Sequence, residues 1–154
     1  MKPSAKEVRV RMERFERAMR DSGRSITHQR TEIFREVAES GDHPDAEAVF
    51  TGVRKRMPTV SLDTVYRTMW TLDEMGLISA FSPLRGRVRF DADTRPHHHF
   101  VCTGCGAVED VNSRSFDELE LPPEASRIGE VVTTHVQFRG LCFRCRGEDG
   151  EPEP

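Results

Sequence analysis

The chain has no apolar run of membrane-spanning length, and its first residues, MKPSAKEVRV, lack the apolar core of a signal peptide. A cytoplasmic protein in a reducing compartment is therefore expected, with no membrane partner. Internal repeats and low-complexity tracts are missing too, apart from an acidic tail at 148–154. No Ser-His, Cys-His or paired-glutamate constellation suggests nucleophilic or acid–base catalysis, which argues against an enzyme. Cysteine is scarce, at four in 154 residues. Under reducing conditions four cysteines read as metal ligands before they read as disulfides.

Hydrophobic residues make up 36% of the chain and charged ones 32%, the balance of a soluble globular protein. Its length suits one typical domain or two small ones. The net charge of −3 conceals an asymmetry. Residues 1–90 hold 17 Lys and Arg against 13 Asp and Glu, a balance of +4, whereas residues 91–154 hold 6 against 13, a balance of −7. A nucleic-acid partner would meet the first part.

Val8, Met12, Phe15 and Met19 recur at helical spacing, predicting a helix over 5–21. Ile33, Phe34 and Val37 mark a second after Thr27, and Ala46, Val49, Phe50 and Val53 a third opened by His43-Pro44-Asp45. Ser61 is a natural N-cap for a fourth, with Leu62, Val65, Met69 and Leu72 inward and Gly76 as its stop. Leu77–Phe81 and Arg87–Asp91 then read as strands around a turn. Helices followed by such a hairpin follow the order of a winged helix. Further on, two strands flank the first cysteine pair, a helical stretch runs near Ser115 to Leu121, and a final strand spans Val131 to Leu141.

The fourth helix offers Ser61, Thr64, Tyr66, Arg67 and Thr71 away from its apolar face. An Arg can read guanine edges and a Tyr can contact a thymine methyl or a phosphate, so a helix in the major groove is one reading. Arg85, Arg87 and Arg89 on the hairpin would suit phosphates. The other reading is a solvated surface helix. Trp70 is compatible with either core or surface.

Cys102-x-x-Cys105 and Cys142-x-x-Cys145 are two knuckles separated by 36 residues. Four thiolates suit a closed tetrahedral zinc site, structural rather than catalytic; redox disulfides or a rubredoxin-like iron are the competing readings. Upstream, His97 and His99 would point to one face of a strand and His98 to the other. Two imidazoles on one face can chelate a second metal. Asp110 on the next strand could add an oxygen, and Asp91 and His43 are further candidates. From spacing alone, though, His43 reads as a helix-start residue and Asp91 as a strand-end polar. An all nitrogen–oxygen set of His43, Asp91, His97, His99 and Asp110 fits Fe(II) or Mn(II), and would also take zinc.

Together, Gly23-x3-Thr27-x-Gln29-Arg30, His43-Pro44, Ser61-Leu62-x-Thr64-Val65-Tyr66-Arg67, Gly76-Leu77-Ile78 and Arg89-Phe90-Asp91 resemble the ferric uptake regulator family. So does His97-His98-His99-Phe100-x-Cys102-x-x-Cys105-Gly106, and the resemblance spans residues 20–146. It implies an α+β protein: a winged-helix DNA-binding domain at 1–91, a linker at 92–97 and a small α/β dimerisation domain with a four-cysteine zinc site at 98–147. It implies a homodimeric repressor on a palindromic double-stranded DNA operator, with a regulatory metal between domains. The match is nearest the peroxide-responsive branch, whose regulatory site carries three histidines and two aspartates. The resemblance thus assigns all five residues to that site, and makes His43 and His97 the ligands oxidised when Fe(II) meets hydrogen peroxide. An iron- or zinc-responsive repressor is the alternative within the family. A further site of iron-type regulators is matched by His98 and Asp117, but alignment back from Cys142 puts Thr134 rather than His135 on its histidine. His135 is then expected to be an ordinary strand residue. Outside the family, an iron or manganese enzyme and a zinc-ribbon interaction module are the rivals.

Overall fold

A computed structural model describes residues 2–83 and 86–147. Arg85 and the tail at 148–154 lie outside the described residues. The chain divides into two compact units, Met1–Thr94 and Arg95–Pro154.

The first unit is built from helices whose starts are fixed by their own side chains. Helix α1 (Ala5–Asp21) begins in a capping box, with Ser4 Oγ accepting from Glu7 N and the Glu7 carboxylate accepting from Ser4 N. Thr27, Asp45 and Ser61 cap α2 (His28–Glu39), α3 (Ala46–Arg54) and α4 (Leu62–Glu74), each accepting the backbone N–H three residues on. Gly76 adopts the left-handed φ of +65° that ends α4, and Leu77 N bonds back to Leu72 O at 2.9 Å. Leu77 and Ile78 therefore finish the helix cap and enter the core, and strand β1 starts only at Ser79 (Ser79–Phe81). It pairs antiparallel with β2 (Arg89–Asp91), shorter than the sequence suggested.

The core of this unit gathers Phe15, Met19, Ile33, Phe34, Val37, Val49, Val53, Val65, Met69, Leu72 and Phe90, all essentially inaccessible. Phe15 stacks on Phe34 with ring centroids 4.8 Å apart. Each such side chain removed from water contributes about 1.5–3 kcal/mol, offsetting about 1–2 kcal/mol of backbone ordering per residue. Across α2 and α3, Arg56 donates to Glu32 and Glu36 at 2.7 Å each. These carboxylates raise the Arg56 pKa, Glu36 first.

In the second unit β3 (His98–Cys102) is the central strand. It pairs antiparallel with β4 (Val108–Val111) and parallel with β5 (Gln137–Gly140), giving the order β4-β3-β5. Short helices α5 (Arg114–Asp117), α6 (Pro123–Ile128) and α7 (Phe143–Arg146) complete it. Two expectations need correction. The final strand covers only Gln137–Gly140, because Val131 to His135 have no strand partner among the described residues and Val132 is 91% exposed. The helical stretch shrinks to one turn, α5, and a separate turn of helix opens at Pro123, where the absent N–H costs nothing. Few apolar side chains are buried here, chiefly Val101 and Val108, while Leu119, Leu121, Ile128 and Phe143 are exposed.

Candidate metal sites and nucleic-acid interface

The β3–β4 turn and the segment after β5 each deliver a pair of thiols. Parallel pairing sets Cys102 opposite Gly140, and Thr103 N donates to Gly140 O at 2.7 Å, so Cys142 and Cys145 follow beside the first knuckle. Gly104 eases the approach, since a Cβ there would stand a tight 3.1 Å from Cys145 Sγ. The four cysteines form no disulfide, and their sulfurs all lie within 4.8 Å of one another. Cys105 Sγ and Cys142 Sγ are 3.9 Å apart. Two sulfurs each about 2.3 Å from one tetrahedral zinc stand about 3.8 Å apart, so the donor set fits zinc.

Backbone N–H groups of Cys142 and Cys105 point at Cys102 Sγ, holding its pKa down to about 6. Cys145, ringed by the other three sulfurs, is pushed up to about 12. The Arg144 guanidinium lies 3.9 Å from Cys105 Sγ.

The residues expected at the regulatory metal divide between the two units. In the first, His43 and Asp91 are both buried, with His43 Nε2 at 3.4 Å from Asp91 Oδ2. His43 is a non-glycine residue with φ +46°, a left-handed backbone that costs about 1–2 kcal/mol. Its ring stands edge-on to Phe81, and Phe90 N donates to Pro44 O, tying this turn to β2. Asp91 Oδ1 accepts from Asp93 N at 2.7 Å.

In the second unit His97, just ahead of β3, and His99 within it come together, their Nε2 atoms 3.0 Å apart. Nitrogens about 2.1 Å from one ion and at right angles to each other stand about that distance apart. His97 Nδ1 donates to Arg95 O at 2.8 Å, which leaves the Nε2 lone pair as the ligand position. Asp110, paired with His99 in the β3–β4 register, brings Oδ1 to 3.8 Å from His97 Nε2 and 3.9 Å from His99 Nε2.

His98 faces the opposite side. Its Nδ1 accepts from Val136 N at 3.2 Å, and its Nε2 sits 3.2 Å from Asp117 Oδ1 without hydrogen-bond geometry. Among the described residues no third ligand group joins this pair into a cluster. His135 lies before β5 rather than within it. Desolvation, then the neighbouring His99, His97 and His98, lower its pKa.

On α4, Ser61 Oγ caps the helix and lies 2.8 Å from Thr64 Oγ1. Asp63, Tyr66, Arg67 and Trp70 are exposed along one stripe. Trp70 stands edge-on to Phe90 and is otherwise a surface residue. Beside the stripe runs an open polar groove of about 560 Å³, lined by Thr27, Arg30, Thr64, Arg67 and Thr71 among others. Arg87 is bonded to Asp45 and Glu47 at the start of α3, and Arg89 donates to His43 O, so neither is a free wing cation. Arg30, named in the sequence only within a motif, lines this groove, and Asp63 pairs with Arg67 four residues on, neither having been singled out as a contact from the sequence.

The sequence profile of the ferric uptake regulator family matches residues 21–138. Over 146 residues the chain is 30% identical to the ferric uptake regulation protein of Bacillus subtilis, covering 92% of this chain and 98% of that one. Over 131 residues it is 27% identical to the peroxide-responsive repressor PerR of Staphylococcus epidermidis, covering 85% and 87%. The solved ferric uptake regulator Fur of Helicobacter pylori, a protein with three functional metal binding sites, aligns with TM-score 0.74 at 17% identity over 97% of this chain and 99% of that one. At that identity the likeness shows the fold: a winged helix followed by a small α/β unit. Among the described residues no helix is long and apolar enough to cross a membrane.

Proposed function

The chain belongs to the ferric uptake regulator family of metal-responsive transcriptional regulators, and on that footing we propose that it is a peroxide-sensing repressor. The observation that carries this reading is the paired imidazole face of His97 and His99, backed by Asp110, with no sulfur donor in the cluster among the described residues. With His43 and Asp91 it makes a ligand set of three histidines and two aspartates for Fe(II) or Mn(II), which the resemblance assigns to peroxide sensors. These five residues would hold the ion and leave it open to a small oxidant. Held by these residues, Fe(II) would supply the redox chemistry that cleaves hydrogen peroxide, one oxygen entering an imidazole C–H bond and the other leaving as water. The protein's part is to hold His43 and His97 where one of them takes up an oxygen atom. That oxidation consumes a ligand, so it is a signal and not a turnover.

The cysteines hold a structural zinc, and the second unit, with its exposed Leu119, Leu121 and Ile128, supplies the homodimer face. Metal at the five-residue site biases the dimer toward the arrangement that places two α4 helices on a palindromic operator. Tyr66 and Arg67 then meet bases, Thr64 and Ser61 stand at the groove edge, and Arg85 serves the phosphates, joined by Arg87 where DNA draws it from Asp45 and Glu47.

The test is peptide mass spectrometry of protein loaded anaerobically with Fe(II) and given low hydrogen peroxide, beside a Mn(II) control. One added oxygen on the peptide holding His43 or His97, with iron alone, is expected. No added oxygen, with metal-dependent DNA binding intact, would make the protein an iron- or zinc-responsive repressor instead.

A further inference from the structure

Duplex DNA carries one negative charge per about 1.7 Å of its axis, so a carboxylate on a DNA-reading surface works against affinity. Helix α4 nevertheless presents one. Asp63, in the first turn, is 72% exposed on the stripe that holds Tyr66 and Arg67. Its Oδ2 lies 3.0 Å from Arg67 NH2, one helical turn on, and Arg67 is 77% exposed. Two structural explanations are weak here. The helix N-terminus is already capped by Ser61, and Asp63 bonds none of its N–H groups among the described residues. An ion pair this exposed adds little to stability.

We propose that Asp63 is a specificity residue for DNA, acting by positioning Arg67; this rests on the reading of α4 as the recognition helix. Among the described residues the Arg67 guanidinium has Asp63 as its one polar partner. Paired with Asp63 at one nitrogen, the Arg67 guanidinium is biased toward the start of the helix, with its remaining donors left to meet guanine O6 and N7 together. On DNA without a guanine in register the pair stays closed. Arg67 is then neutralised, and the carboxylate repels the nearest phosphates. Asp63 therefore weakens non-specific binding more than specific binding, and the ratio between them rises.

The test uses the full chain loaded with Mn(II), first to select sites from a randomised duplex pool and then in anisotropy titrations over a salt series. Asp63→Ala is expected to bind a scrambled duplex about fivefold more tightly at 0.15 M salt, with a salt slope steeper by about one. The penalty for replacing the preferred guanine should fall from about tenfold to about threefold. Asp63→Asn, which keeps an acceptor for Arg67 but not the charge, should retain most of the guanine preference while still gaining non-specific affinity. In an Arg67→Ala background, Asp63→Ala should no longer alter base preference. A merely structural Asp63 predicts the opposite sign, equal weakening on both duplexes, and that outcome overturns the proposal. So does an unchanged guanine penalty in a wild type that selects a site. A wild type that selects no sequence overturns the recognition-helix reading along with it.

Discussion

An imidazole binds a metal only through an unprotonated nitrogen, which makes the hydrogen bond from His97 Nδ1 to the Arg95 carbonyl consequential. It fixes the tautomer and aims Nε2 at the face shared with His99. Loss of such a supporting partner typically costs ten- to a hundredfold in metal affinity, and loss of the ligand itself should cost more. His97→Ala and Asp110→Ala are each expected to abolish Mn(II)-dependent operator binding while far-UV circular dichroism stays unchanged. High-affinity, metal-dependent binding by both variants would remove these residues from the regulatory site. A core residue behaves differently. Phe34, stacked on Phe15 and fully enclosed, should cost about 3–5 kcal/mol as Phe34→Ala in urea unfolding, because a cavity adds to the lost transfer energy.

At the scale of elements, each helix of the first unit carries its own start signal, and Ser61 shows how far such a signal reaches. Its hydroxyl accepts from Thr64 N, so Ser61→Ala should lower the stability of the first unit by about 1 kcal/mol. Trp70 fluorescence in urea would read this. A loss confined to DNA affinity, with stability unchanged, would show that the hydroxyl serves the operator instead. Because caps are local, the starts of α1 to α4 were legible in the sequence to within a residue. The second unit was less so. Parallel pairing of β3 with β5 links residues almost forty positions apart, and nothing local told Val131–His135 from the strand that follows. The same limit governs the candidate sites. Cysteine spacing gave the knuckles, and strand alternation gave His97 and His99. The left-handed turn at His43 and the engagement of Arg87 with Asp45 and Glu47 depend on partners that spacing alone cannot reveal.

Considered as a whole, the molecule joins a unit with a deep apolar core to one that buries few apolar side chains and gathers four thiols. Zinc should therefore contribute folding energy to the second unit alone. Its loss can be followed cleanly, because the single Trp and the single Tyr, Trp70 and Tyr66, both belong to the first unit. Chelation is expected to lower the melting transition seen by far-UV circular dichroism, and to dissociate the dimer, while the Trp70 fluorescence transition keeps its midpoint. The pH dependence of the zinc-free protein has a definite sign. Cys102 is held near 6, below the ordinary thiol value of 9.0, so its contribution is complete above 9 and is lost as pH falls through 6. Cys145, pushed up to about 12, acts in the opposite sense, costing stability only as pH rises above 9. The second unit of the chelated protein should thus be most stable near pH 9 and weaken toward pH 6. Parallel shifts of both probes would mean that the two units unfold as one, and would remove zinc's confinement to the second.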